Sequence, residues 1–282
     1  MNIFKIIEEI EKVDPEMNER FSPRRDAIKS FANYGSKIAV AALPFALGAL
    51  FNKAYGQTTV GDVNGTLNFA LKLEYLESAF YNMALATPGL IPAADLPAFQ
   101  TIAAHENAHV KFLQSVLSTN AVPLSSQGNN GVFDFTASGT LPNYFANKDY
   151  ATFLIVANAF EDTGVRAYKG QAPNVIMNQV VLTAALNIHS VEARHASHIR
   201  TIRRGTGSTP KSWITAANDT GFAGAAGNFA GEDNVMQGGL DLTTLTNPVT
   251  GAKFTTANIT EAFDEPLSAA DVVKLVSPFG IK

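Results

Sequence analysis

The feature that most constrains this 282-residue chain is a Glu-x-x-His motif that occurs twice, at residues 106–109 and at residues 192–195. On an α-helix, residues three apart lie about 60° from each other on one face, so both side chains of such a motif can reach the same point. Another glutamate precedes each motif at almost equal distance, because Glu74 lies 32 positions before the first and Glu161 lies 31 positions before the second. The chain therefore contains two copies of one unit, with acidic and imidazole groups at matching positions.

Helical periodicity over about residues 62–204 predicts four helices. We expect them at about residues 64–85, 96–120, 149–169 and 173–204. Asp95 is the expected N-cap of the second helix, and Gly170 and Gly205 stand where the third and fourth helices should end. A stretch rich in Ser, Asn, Gly and Pro, at about 120–147, separates the two halves. Two short loops around one long crossover between helices two and three predict an all-α four-helix bundle.

Both motifs fall on the apolar faces of their helices. On helix three, Glu161 also faces inward. On helix one the pattern fits Glu74 and Glu77 equally well, so periodicity does not choose between them. The inward-facing positions of helix two are Phe99, Ile102, Glu106, His109, Leu113 and Val116, and those of helix four are Val181, Ala185, Ile188, Glu192, His195, Ile199 and Ile202.

The acidic groups on these faces need a compensating charge. Four carboxylates buried together would cost many kcal/mol, whereas two divalent cations would balance them and take the two imidazoles as neutral ligands. The alternative is that some glutamates are protonated or turn outward to pair with Arg166, Arg194 or Lys72. The sequence therefore predicts a two-metal site with Glu106, His109, Glu161, Glu192 and His195 as ligands, together with either Glu74 or Glu77 from helix one.

Composition excludes several other kinds of protein. The chain has no cysteine, which removes disulfides, thiolate metal sites and iron–sulfur centres. Its net charge of -4 offers no basic face for a phosphate backbone, so we expect no nucleic-acid partner. Hydrophobic residues make up 46% of the chain and charged residues 16%, as is typical of a globular interior.

The N-terminal segment has the pattern of an export signal. Paired arginines within residues 22–29 precede an apolar run at 38–51, which is too short to span a bilayer comfortably but fits a signal peptide. This arrangement resembles a twin-arginine signal, with small residues at 54–56 for cleavage. We therefore predict an exported, periplasmic protein with no stable membrane span after cleavage. The predicted organisation is a signal segment at 1–56, the bundle at 57–205, and a loop-rich C-terminal extension packed on the bundle at 206–282.

Together these motifs resemble the ferritin-like family that includes bacterial and plant desiccation-related proteins. The likeness covers about residues 59–204, and residues 259–267 look like the tail of the same family. It implies a ferritin-like four-helix bundle that binds two divalent ions, iron or manganese. In the implied site Glu74 is the ligand of helix one, Glu106 and Glu192 bridge or chelate, His109 and His195 each bind one metal, Glu161 completes the site, and Glu77 and His189 are second-sphere candidates.

The resemblance leaves several functions open. The leading hypothesis is a redox protein that reacts with dioxygen or hydrogen peroxide, as a peroxidase, a catalase-like enzyme or a ferroxidase, in stress protection. The alternative is a non-catalytic, metal-stabilised structural or desiccation-protective protein. A storage cage is a third hypothesis, which a large closed oligomer would support. Whether the protein forms a homo-oligomer stays open.

Overall fold

The computed structural model describes residues 62–207, 211–216 and 223–282. The predicted export signal at 1–56 and its cleavage site lie outside these residues. The structure confirms the all-α fold, with a small two-stranded ribbon in the C-terminal extension. The four long helices are α1 (Val63–Leu85), α2 (Leu96–Leu117), α3 (Tyr150–Gln171) and α4 (Gln179–Gly205).

The four helices form two hairpins. Helix α1 packs along α2, and α3 packs along α4, each pair being joined by a short connection. A long crossover from 118 to 149 links the hairpins and contains two 3₁₀ turns, Ser118–Asn120 and Leu124–Ser126, and one α-helical turn, Tyr144–Asn147. The predicted connectivity, with its long crossover between helices two and three, is therefore present. None of the helices in the described ranges combines the length and the apolar character needed to cross a membrane.

The predicted end of helix three at Gly170 is wrong. The helix continues through this residue to Gln171. A Cβ atom on Gly170 would lie only 2.0 Å from the carbonyl oxygen of Leu267, in the C-terminal extension. Glycine is needed here because a neighbouring backbone packs directly against the helix, and not because the helix stops.

The predicted start of helix four and the predicted capping role of Asp95 also differ from the structure. The last helix was expected from Pro173, but this residue lies in a separate 3₁₀ turn, and α4 begins at Gln179 after the N-cap Asn178, whose side chain accepts from the backbone N–H of Val181. Asp95 does precede α2 but forms no side-chain cap. Its Oδ2 accepts a hydrogen bond from the hydroxyl of Tyr150 at 2.7 Å instead, which ties the start of α2 to the start of α3.

An aromatic cluster fills one end of the bundle. Phe80 of α1 is fully buried, and its ring stacks on that of Phe153 of α3, with the centroids 5.1 Å apart. Burying each such side chain contributes about 1.5–3 kcal/mol to folding. The cluster thus holds the two hairpins together beside the carboxylates. The other rings that contact Phe80 are Tyr81, Phe135, Tyr144, Phe145 and Phe160.

The described part of the C-terminal extension packs on α3. Arg166 is fully buried, forms an ion pair with Glu232 at 2.8 Å and donates to the carbonyl of Glu265 at 2.7 Å. The short helix α5 (Ala269–Val276) begins after the N-cap Ser268, whose side chain accepts from the backbone N–H of Asp271, and it buries Val272 and Val276 against the bundle. The described part of the extension therefore belongs to the folded core, and the domain boundary at 206 stays a prediction.

Replacing Gly170 by alanine should destabilise the protein by about 1–3 kcal/mol, because the new methyl group would force the Leu267 backbone away from α3. Gly205→Ala is the matched control, since a Cβ at Gly205 meets no atom within 4 Å. We expect that variant to be neutral or up to about 1 kcal/mol more stable. Denaturant unfolding of both variants measures the difference, and equal stabilities would contradict the packing described for the extension.

Candidate metal centre

All four helices contribute acidic side chains to the interior of the bundle. Helices α1 and α3 supply glutamates from the first helix of each hairpin, and α2 and α4 supply the two Glu-x-x-His motifs. The four predicted carboxylate ligands have no exposed surface, and His195 is 5% exposed. The structure thus brings together the predicted residues Glu74, Glu106, His109, Glu161, Glu192 and His195.

The first of two ligand groups is centred on His109, and we call it the His109 half-site. It consists of His109, Glu74, Glu106 and Glu192, whose ligand atoms all lie within 4.8 Å of one another. The Nδ1 atom of His109 is 3.2 Å from Glu74 Oε2, 3.2 Å from Glu106 Oε2 and 3.1 Å from Glu192 Oε1. One imidazole nitrogen and oxygens of three carboxylates therefore converge on one point.

The second group, the His195 half-site, consists of His195, Glu161, Glu106 and Glu192, within the same 4.8 Å limit. The Nδ1 atom of His195 is 3.2 Å from Glu161 Oε2 and 2.9 Å from Glu106 Oε1. It is 3.3 Å from Glu192 Oε2. This half-site repeats the composition of the first, with Glu161 in the place of Glu74.

Glu106 and Glu192 belong to both half-sites. Glu106 directs Oε2 toward His109 and Oε1 toward His195. Glu192 does the same with its two oxygens, Oε1 toward His109 and Oε2 toward His195. A carboxylate that offers one oxygen to each of two neighbouring points has the geometry of a bridging ligand. Glu74 and Glu161, by contrast, each serve one half-site and are terminal.

Two tyrosines that the sequence analysis did not assign to the site orient the terminal carboxylates. Tyr168 of α3 donates to Glu74 Oε1 at 2.5 Å, and Tyr81 of α1 donates to Glu161 Oε1 at 2.5 Å. Each bond leaves the other oxygen, Oε2, facing its half-site. The signal was present in the sequence, because each tyrosine follows the terminal glutamate of its own helix by seven positions, which is two turns on the same face.

Glu77 is buried but stands outside both half-sites. It is 4% exposed and lies one turn after Glu74 on α1, so the structure places Glu74 among the converging ligand atoms and Glu77 beside them. At the matching position of α3 the chain has Gly164, and a Cβ there would lie 3.2 Å from Glu77 Oε1. The missing side chain of Gly164 therefore makes room for a fifth carboxyl group.

The site retains protons when no cation balances it. Burial raises the pKa of Glu74 well above its usual range, with the charge of Glu192 as the next cause, and burial also raises the pKa of Glu161. Burial opposes the protonation of His109 and His195, but their carboxylate partners outweigh it and raise both pKa values to about 12. Burial also works against the ionised form of Glu192, yet its close contacts with both imidazoles lower its pKa to about 2.

Three buried oxygens show that protons alone do not complete this site. Oε1 of Glu106, Oε2 of Glu161 and Oε1 of Glu192 have no hydrogen-bond partner. The imidazole Nδ1 atoms lie near them, but the direction of the N–H bonds does not fit a hydrogen bond. Buried oxygens without a donor are costly, and carboxylate oxygens are preferred ligands of hard divalent ions. The donor set therefore fits two divalent cations.

The nearby cationic side chains contact other partners. Arg166 pairs with Glu232, and Lys72 donates to the backbone carbonyl of Lys282 at 2.5 Å. Arg194, the remaining candidate in the outward-turned alternative, is exposed on α4. None of the candidate glutamates is turned outward, because all are buried.

His189 does not approach the carboxylates. It is half-buried on α4, and its Nδ1 donates to the backbone carbonyl of Val165 at 3.0 Å. This contact links α4 to α3 one turn away from Glu192. Asp162, which follows Glu161, is likewise held by α4, since Arg200 donates to its Oδ2 at 2.5 Å. Both contacts fix the relative position of the two helices that carry the His195 half-site.

The fold and the site define a class of protein: a four-helix bundle with a buried carboxylate–histidine cluster suited to divalent metals. The sequence model that describes the ferritin-like domain family matches residues 62–204, which hold the four helices of the bundle. The chain belongs to the ferritin-like domain family. Comparison with curated proteins and with solved structures gives no significant match.

Proposed function

We propose that this protein binds two divalent ions, of iron or manganese, and reacts with dioxygen or hydrogen peroxide in stress protection. The observation that carries the proposal is the pair of half-sites that share the carboxylates of Glu106 and Glu192. When bound, two neighbouring redox metals can together exchange two electrons with one small oxidant. Iron and manganese both suit this ligand set.

The side chains of the protein supply the fixed geometry for such a pair. Glu106 and Glu192 would hold the ions next to each other, and Tyr81 and Tyr168 keep the terminal carboxylates oriented before any ion binds. Glu77 is held close to the cluster, and burial, followed by the charge of Glu192, raises its pKa. It is therefore available as a proton carrier or as an alternative ligand.

Burial of the site favours a small reactant. The four carboxylate ligands have no exposed surface, and the side chain of His109 is 11% exposed. An organic substrate of ordinary size could touch the ions only if the helices moved apart, whereas dioxygen and peroxide need no such movement. The burial of the site therefore favours dioxygen or hydrogen peroxide as the reactant over a larger organic molecule that would be hydroxylated.

The cellular setting that we propose is the periplasm. Its support is the arginine pair and the apolar run within residues 22–56, which resemble a twin-arginine signal. A protein exported by that route folds first, so it would acquire its metals before it crosses the membrane. A role in desiccation or oxidative stress fits the family resemblance.

Protein purified with its metals should accelerate peroxide loss, ferrous oxidation or both, at rates well above those of the free ions. The variant Glu106→Ala/Glu192→Ala should fall to the background rate, because both bridging ligands are gone. His198→Ala is the matched control, since His198 is exposed on α4 and should keep full activity. Bound metal without turnover of either substrate would overturn the redox proposal and support the non-catalytic, metal-stabilised role.

A further inference from the structure

Besides Glu77 and Gly164, the surroundings of the two half-sites differ at the residue before each Glu-x-x-His motif. The bridging glutamates, the histidines, the terminal glutamates and the tyrosines all correspond between the hairpins. The residue just before each Glu-x-x-His motif does not, because it is His105 on α2 and Val191 on α4. This difference breaks the internal symmetry next to the ligands.

His105 contacts the outer side of the His195 ring. Its Nδ1 atom lies 2.9 Å from Nε2 of His195. The two rings are nearly parallel, with an interplanar angle of 17° and centroids 5.2 Å apart. The inner nitrogen of His195, Nδ1, faces the carboxylates at the same time. His195 is therefore held from both sides.

His109 has no such support. Its Nδ1 atom faces three carboxylates, as in the other half-site. Within residues 62–207, 211–216 and 223–282, no hydrogen bond joins its Nε2 atom to another residue. Val191, the counterpart of His105, carries no polar atom that could accept one.

The contact with His105 selects a tautomer of His195. An imidazole that presents the lone pair of Nδ1 to a cation must carry its proton on Nε2. That N–H then donates to Nδ1 of His105, which in turn carries its own proton on Nε2. Such a partner on the outer nitrogen fixes both the tautomer and the ring orientation of a metal-binding histidine.

We propose that His105 is a positioning residue that makes the two half-sites unequal, so that the His195 half-site binds its ion more tightly and fills first. The proposal rests on the two-metal site described above. It follows from the hydrogen bond to His195 and from the valine that α4 carries at the position corresponding to His105. Its consequence is ordered loading of two ions by a site whose direct ligands are almost symmetric.

Calorimetric titration of the metal-free full chain with Mn²⁺ tests the proposal. The wild type should show two separate steps. His105→Val should weaken the tighter step by about 10- to 100-fold and leave the weaker step unchanged, so that the steps merge. His105→Asn should largely restore the split, because the asparagine Oδ1 can accept the hydrogen bond in the place of Nδ1. His198→Val, at an exposed position of α4, should behave as the wild type.

The outcomes separate this proposal from the proposed function. Absence of Mn²⁺ binding in the wild type would overturn both. Two equal steps in the wild type, or an unchanged tighter step in His105→Val, would overturn the role of His105 and leave the two-metal site standing. Thermal unfolding of the metal-free variants shows whether they are folded, and since His105 is exposed we expect no loss of stability.

Discussion

The double variant Glu106→Ala/Glu192→Ala should bind neither metal ion, whereas the wild type binds two. Each of these carboxylates directs one oxygen to each half-site, so their loss removes two ligands from both. Binding of a metal to the folded state stabilises it by about 2.7 kcal/mol when the free ion is at 100 times its Kd. The wild type should therefore gain that amount for each ion in thermal unfolding, and the double variant should gain nothing.

The terminal ligands provide the matched control. Glu74 contacts only the His109 half-site and Glu161 only the His195 half-site. Glu74→Ala and Glu161→Ala should therefore each keep about one ion per chain. Elemental analysis of the purified proteins measures this. Equal metal content in the wild type and the double variant would show that the ions bind elsewhere.

The stability of the metal-free protein should fall as the pH rises from about 5 to about 9. Burial raises the folded-state pKa of Glu74, Glu77 and Glu161 above the ordinary value of 4.5. A group with a raised pKa stabilises the fold fully below its unfolded pKa, and this contribution is lost as the pH rises. His109 and His195, raised to about 12, act in the same direction above pH 6.5. Each proton that only the folded state retains lowers the free energy of unfolding by about 1.4 kcal/mol per pH unit.

The contribution of Glu192 to stability depends on pH in the opposite direction, but it changes only below the range from pH 5 to pH 9. Its lowered pKa of about 2 gives a contribution that is present above pH 4.5 and is lost only in acid. Metal ions displace the protons from the cluster, so the increase in Tm on adding Mn²⁺ should become larger with pH. Calorimetry of metal-free and loaded protein across this range provides the measurement. A metal-free Tm that rises with pH would contradict the account.

The convergence of these carboxylates and imidazoles was predictable because their positions obey helical spacing. Each Glu-x-x-His motif replaces apolar residues on an inward face, and the converging positions of Glu106 and Glu192 follow from that alone. The choice between Glu74 and Glu77 did not follow, because both face inward on α1. It depends on the opposite helix, where Gly164 leaves space for Glu77 and Tyr168 binds Glu74.

Contacts between distant parts of the chain could not be predicted from the sequence. A glycine near the end of a helical pattern predicts a helix end, but Gly170 is set by the approach of the Leu267 backbone from the extension. In the same way the stacking of His105 on His195 joins residues 90 positions apart on different helices. Periodicity assigns a residue to a face, and it carries no information about which partner lies across from it.

The most direct test of the central claim is anomalous X-ray scattering from crystals of protein matured in its native host. We expect two peaks per chain, one beside Nδ1 of His109 and one beside Nδ1 of His195, each within about 2.0–2.2 Å of an oxygen of Glu106 and of Glu192. Data collected at the iron and manganese edges would identify the ions. Carboxylates directed toward solvent, or no peak among these side chains, would contradict the account.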